Sequence, residues 1–256
     1  MKKILLGMVG LVALGAAAPA SAADLPAKVY TKAPAVVAAV YDWSGFYIGA
    51  NGGGGWSHKC WDANNVLGVV IAPAFREGCA NANGGVAGGQ IGYRWQSANW
   101  VFGIEGQGDW AGLSGSFLSS TALLGTLVTD RSKVQGFGLL TGQVGYAWNN
   151  VLWYVKGGAA VTGDKYEGLV TATGLVFDRA TETRWGGTIG TGIEVGFAPN
   201  WTVAFEYDHL FMGNHTLTFV TVPGGIADRT DNVKQDVDLA TIRVNYRWGG
   251  PVVAKY

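Results

Sequence analysis

The sequence predicts an eight-stranded antiparallel up-and-down transmembrane β-barrel with short turns at one end and long loops at the other. Three observations carry this expectation. Segments of about 10–14 residues alternate apolar and polar side chains with a period of two, the repeated signal of membrane strands. The connections between those segments alternate short and long. Charged residues make up only 14% of the chain, against roughly 25% in soluble domains, which is too few to clothe a water-facing exterior. Helix formers are sparse, while there are 41 Gly and 11 Trp.

The chain opens with a secretory signal over residues 1–22. Lys2 and Lys3 form its charged start, Ile4 to Ala17 its apolar middle and Ala20-Ser21-Ala22 its cleavage site. The apolar run is short of the roughly 20 residues that a membrane helix needs. A mature protein that lives in a membrane must then do so as a closed barrel. Removing Lys2 and Lys3 leaves 16 basic against 18 acidic residues, a balance of −2. That balance excludes nucleic-acid binding by counterion release. Residues 23–42 carry Pro26 and Pro34 and read as a mobile periplasmic linker. The barrel is expected over 43–248 and a periplasmic tail over 249–256.

Each strand is justified by its own alternation. Trp43 to Trp56 sets Phe46, Ile48 and Ala50 against Tyr47, Gly49 and Asn51. Gly84 to Trp95 sets Ile91, Tyr93 and Trp95 against Gln90 and Arg94. Trp100 to Leu113 sets Phe102, Ile104 and Trp110 against Glu105, Gln107 and Asp109. Val134 to Trp148 sets Val144 and Tyr146 against Thr141 and Gln143. Val151 to Tyr166 sets Trp153, Val155 and Val161 against Tyr154, Lys156 and Thr162. Thr183 to Phe197 sets Trp185, Ile189, Ile193, Val195 and Phe197 against Arg184, Thr188 and Glu194. Trp201 to Met212 sets Val203, Phe205 and Tyr207 against Thr202, Glu206 and Asp208. The last, Val237 to Trp248, sets Ala240, Ile242, Val244, Tyr246 and Trp248 against Thr241, Arg243, Asn245 and Arg247. This final strand is expected to close the ring against the first.

Gln96 to Asn99, Asn149-Asn150 and Pro199-Asn200 read as tight hairpin turns. Ser57 to Asn83, Ser114 to Lys133, Glu167 to Glu182 and Gly213 to Asp236 read as long irregular loops. Alternation by itself does not say which face is outside, since a soluble lipocalin-type barrel has the same period. Scarce charge, uneven loops and aromatics gathered at strand ends place hydrocarbon on the outside.

The polar face then becomes the lumen. It holds Arg94, Glu105, Lys156, Arg184, Glu194, Glu206, Arg243 and Arg247. An eight-stranded barrel is only wide enough for its own side chains, so these charges are expected to pair into a plug. Cys60 and Cys79 fall in the first long loop and read as one disulfide. Their wide spacing, with no other cysteine, argues against a metal or redox site. His58, His209 and His215 sit near the long-loop end and read as ordinary loop or interface residues. The glycine sets at 106/108/112 and 136/138/142 are expected to face lipid, and the set at 190/192/196 the lumen. None opens a helix in a βαβ unit, so none is a dinucleotide fingerprint. No catalytic, cofactor or metal residues are assigned, because no constellation meets the geometric roles of such sites.

Tyr41-Asp42-Trp43-Ser44-Gly45-Phe46-Tyr47-Ile48-Gly49-Ala50-Asn51-Gly52-Gly53-Gly54 resembles the opening strand of the small outer-membrane β-barrel proteins of alphaproteobacteria. The ending Val244-Asn245-Tyr246-Arg247-Trp248-Gly249-Gly250-Pro251-Val252-Val253-Ala254-Lys255-Tyr256 resembles their tail. That family includes the major surface proteins of Brucella, the RopB-type proteins of rhizobia and the haemin-binding proteins of Bartonella. Many members carry Phe where Trp248 stands, and Trp keeps the aromatic character that assembly machinery reads. The resemblance implies an exported, integral outer-membrane protein with a structural, surface-presenting role and no enzymatic activity. Its partners would be outer-membrane lipid, lipopolysaccharide and the assembly machinery, with room for a ligand at the extracellular loops. The alternatives are a narrow porin-like channel and a surface binder of haemin or a host ligand.

Overall fold

A computed structural model describes residues 41–66, 68–119 and 127–248. The leader, residues 23–40 of the linker and the tail at 249–256 lie outside the described residues. Eight strands follow one another: β1 (Gly45–Val66), β2 (Val69–Ser97), β3 (Trp100–Leu118), β4 (Val128–Trp148), β5 (Val151–Val170), β6 (Val176–Ala198), β7 (Trp201–Thr221) and β8 (Ala227–Trp248). Each pairs antiparallel with its sequence neighbour, and β1 pairs with β8 to close the barrel. Ile48 stands opposite Tyr246 and Gly52 opposite Ile242 across that closing seam. Closure leaves the ring with no free edge, as strands in hydrocarbon require.

The two-residue turns sit at 98–99, 149–150 and 199–200. Each places Asn second, and each Asn works in the same way. The backbone carbonyls of Asn99, Asn150 and Asn200 accept from the amides of Ala147, Gly196 and Arg247. Their side-chain amides donate back to the carbonyls of those same three residues at 3.1, 3.1 and 2.7 Å. Each turn is thereby tied to the end of a strand beyond its own hairpin. Positive φ at Ala98 and Asn149 gives these turns the twist that a tight hairpin needs.

The long connections differ from the irregular loops that their composition suggests. Ser57 to Asn83 is a paired hairpin in which β1 and β2 continue beyond the membrane, with Cys60 opposite Cys79. Glu167 to Glu182 and Gly213 to Asp236 also continue as strand, leaving short bends at 171–175 and 222–226. In the segment from Ser114 to Lys133, residues 120–126 lie outside the described residues. The strands run 19 to 29 residues, whereas a tilted strand crosses hydrocarbon in roughly 9–11. The surplus projects as a hydrogen-bonded wall above the bilayer. Polar side chains in that region mask the period, but the backbone ladder continues through it.

The faces fall as the alternation predicts. Ile242, Val244 and Ile193 are exposed on the outside, while Arg243 and Glu194 are 1% exposed within. Exposed Trp95, Trp100, Trp148, Trp153, Trp201 and Trp248 form a girdle at the short-turn end, and Trp56, Trp110, Trp185 and Phe211 another above. Between them lies a continuous apolar exterior, which in water would be untenable. Trp43 is different. The strand starts at Gly45, and Trp43, in phase with inward Tyr47, lies inside, 1% exposed, donating its indole N–H to the Asn149 carbonyl at 3.0 Å. Tyr41, from the expected linker, packs on it with ring centroids 4.8 Å apart. Tyr41 therefore packs into the barrel floor.

Candidate functional site

The inward row of each strand builds the lumen in layers. At the floor, Arg247 donates to the backbone carbonyls of Ser44 at 2.8 Å and Pro199 at 3.3 Å. Its guanidinium lies over the Tyr41 ring. Just above, Arg94 of β2 meets Glu194 of β6 at 2.8 Å. Asn245 donates to the same carboxylate at 3.0 Å.

The central layer is the most densely bonded. Arg243 of β8 donates one arm to Glu105 of β3 and the other to Glu206 of β7. Lys156 of β5 reaches Glu206 at 2.7 Å, Asp208 at 3.3 Å and Glu105 at 3.4 Å. The Tyr47 hydroxyl donates to Glu105 at 2.7 Å, and that of Tyr154 to Glu206 at 2.6 Å. Gln143 donates to the Tyr47 hydroxyl at 2.9 Å and accepts from Arg94 at 3.3 Å, joining this layer to the one below. These ionic side chains are at most 4% exposed. Charges so far from water persist only where every one has partners of opposite sign.

The arrangement repeats across the barrel. Tyr47, Gly92 and Glu105 lie on β1, β2 and β3, and Tyr154, Gly192 and Glu206 on β5, β6 and β7. Each tyrosine stands opposite its glycine in the strand ladder. A methyl group at Gly92 or Gly192 would lie 2.5 or 2.6 Å from the ring beside it. Those glycines are therefore floors on which the tyrosines lie while reaching the central carboxylates. This gives the inward set at 190/192/196 a reason that the outward sets lack.

Six of the eight charged residues expected in the lumen come together here: Arg94, Glu105, Lys156, Glu194, Glu206 and Arg243. Arg247 bonds backbone in the floor. Arg184 lies higher, against Glu182 at 2.9 Å and the Val233 carbonyl at 3.1 Å.

Composition gave no notice of the upper lumen. An apolar layer that includes Leu113, Phe137, Leu139, Leu210 and Leu239 caps the central network. Above it Lys59 pairs with Asp164 at 2.8 Å, neither exposed at all. Trp61, Tyr166 and Phe219 pack next, edge-on and tilted against one another. Arg229 lies over Phe219 and is ringed by Asp130 at 2.7 Å, Asp178 at 2.9 Å and Glu77 at 3.1 Å. In β8 the buried row runs Arg229, Asp231, Val233, Gln235, Val237, Leu239, Thr241, Arg243, Asn245, Arg247 without a break. Reading Gly213 to Asp236 as a loop hid its upper half.

Cys60 and Cys79 are joined in a disulfide across β1 and β2. It stands on paired strands, just beyond the upper girdle, on the outer face of the wall.

Known proteins agree with this architecture. The family described as outer membrane protein beta-barrel domain matches residues 8–248. The 31 kDa outer-membrane immunogenic protein of Brucella melitensis biotype 1 is 27% identical over 262 residues, covering 97% of this chain and all of that one. The 22 kDa outer membrane protein of Rhizobium leguminosarum bv. viciae is 32% identical over 122 residues, 47% of this chain and half of that one. The outer membrane protein OprG from Pseudomonas aeruginosa shares the fold, with a TM-score of 0.52 at 12% identity over 80% of this chain and 97% of OprG. With strands, girdles and lumen in place, the chain belongs to the outer-membrane β-barrel protein family and resides in the outer membrane.

Proposed function

We propose that the protein is a structural, surface-presenting barrel whose lumen is plugged by ion-paired side chains and which catalyses no reaction. One observation carries the reading. Arg243 braces Glu105 on β3 against Glu206 on β7, and those strands stand four apart in a ring of eight. The brace therefore crosses the lumen from wall to wall. A barrel of this size has little space beyond its own side chains, and a guanidinium fixed at both ends leaves no slack for ions. The apolar layer above the brace adds a second barrier, because ions pass dewetted constrictions poorly. The tall hairpins then supply the presented surface. Outer-membrane lipid and lipopolysaccharide would lie against the girdles, and the assembly machinery would read the aromatic end at Trp248.

Planar-bilayer recording of the purified protein tests this. The expected result is a silent bilayer. Discrete, reproducible conductance steps would defeat the plug and favour a narrow channel.

A further inference from the structure

We propose that His58, Cys60 and Cys79 form a redox-gated site for a soft divalent cation such as Zn²⁺, closed while the cysteines are joined and open once a dithiol has reduced them. Among the described residues, these three are the group whose nitrogen and sulfur ligand atoms all lie within 4.8 Å of one another. His58 Nε2 is 3.4 Å from Cys60 Sγ. A tetrahedral zinc site, with Zn–S about 2.3 Å and Zn–N about 2.0–2.1 Å, holds nitrogen and sulfur roughly 3.6 Å apart. The imidazole thus already stands at ligand distance.

Its orientation is fixed from behind. His58 Nδ1 lies 2.7 Å from Asn81 Oδ1, a carbonyl that can only accept. That bond is made by the tautomer with its proton on Nδ1, which turns the Nε2 lone pair toward the sulfur. A ring N–H given to a carbonyl is how metal-bound histidines are held in their binding tautomer. The fold supplies this by register. His58 pairs with Asn81 and Cys60 with Cys79 on the outer face of the β1–β2 ladder.

The surroundings suit the chemistry. On the other side of β1, Lys234 stands opposite Cys60 and Asp236 opposite His58. All four border one cavity of about 270 Å³. A neighbouring ammonium favours thiolate over thiol, and Asp236 or water can take the fourth position that three protein ligands leave open. His58 is two residues beyond the exposed girdle residue Trp56, so the site opens to water and not to hydrocarbon.

The chemistry balances. The dithiol reductant gives each sulfur one hydrogen as the Sγ–Sγ bond breaks, and is itself oxidised to a disulfide. The cation then forms two metal–sulfur bonds and releases the two thiol protons.

Co²⁺ is the probe. The full chain, refolded in detergent, is reduced with a dithiol, freed of it under anaerobic conditions and titrated. The reduced protein should take up one equivalent, with the visible bands of tetrahedral cobalt and near-ultraviolet thiolate charge transfer. The oxidised protein should show neither. Asn81→Ala should weaken binding roughly 10- to 100-fold, the usual cost of losing an outer-shell partner, and His58→Ala should weaken it further. Absence of charge transfer in the reduced protein, or a His58→Ala titration equal to wild type, overturns the proposal. Loss of heat-modifiable migration on reduction overturns it as well, because the site exists only while β1 and β2 stay paired.

Discussion

Replacing Arg243 with Met tests whether the central brace holds the barrel together. The substitution keeps an unbranched side chain of similar reach but removes the charge between Glu105 and Glu206. Both carboxylates are at most 2% exposed, so water cannot take over from the guanidinium. Lys156 remains, at 2.7 Å from Glu206 and 3.4 Å from Glu105, so neither carboxylate loses every partner. The cost is then that of one broken buried pair, about 3–5 kcal/mol, and not the sum of two. Two tyrosine hydroxyls still donate to the carboxylates, which places the expectation at the lower end, near ~3 kcal/mol. Reversible denaturant unfolding in lipid vesicles, followed by tryptophan fluorescence and by heat-modifiable migration, measures the loss. Changing Glu105 and Glu206 to Gln in the same chain should recover most of it, because neutral amides no longer need a cation. A loss below about 1 kcal/mol for Arg243→Met, the scale of an exposed pair, would refute the claim that this network is dry and structural. So would a triple variant no more stable than the single one.

Other perturbations separate the faces and the layers. Gly192→Ala puts a methyl group 2.6 Å from the Tyr154 ring and should cost about 1–3 kcal/mol by overpacking. Gly108→Ala on the lipid face meets nothing within 4 Å and should change stability by no more than about 0.5 kcal/mol in the same assay. Ile242→Lys places a charge in the apolar band and should cost about 2–4 kcal/mol at the midplane; a neutral outcome would put that face in water. Above the upper girdle, burial pushes the Asp178 carboxyl up to about 6, with Arg229 pulling the other way. A carboxyl whose folded value is raised contributes stability below its unfolded value and loses that contribution as pH rises through the folded one. Hydrogen exchange in the upper parts of β4, β6 and β8 should therefore quicken between about pH 4 and 6 beyond its intrinsic rise, and Asp178→Asn should flatten that added slope.

How much of this was readable without coordinates depends on which force leaves a local mark. Alternation is local, so strands, their order and their two faces could be read wherever one face is uniformly apolar, as in Val237 to Trp248. The expectation that charges on the inner face must pair also follows, since burial without a partner is costly wherever it happens. The short Asn turns were legible because turn residues are chosen for their own backbone. Legibility failed where the outer face is wetted. In Ser57 to Asn83 and Gly213 to Asp236 both faces carry polar side chains, so the period fades although the ladder persists.

Partner choice was beyond the sequence for a different reason. Arg243 meets Glu105 and Glu206, while Arg247 four residues on meets backbone carbonyls and the Tyr41 ring but no carboxylate, and nothing local distinguishes the two. Which carboxylate faces which cation is set by strand stagger around a closed ring, a property of all eight strands together. The same holds for His58, whose approach to the two cysteines needs the register that places Asn81 and Cys79 across from it. The chain alone thus determined the barrel, its membrane face and the content of its interior. Closure decided the pairings, because distances across a lumen are not encoded in distances along a strand.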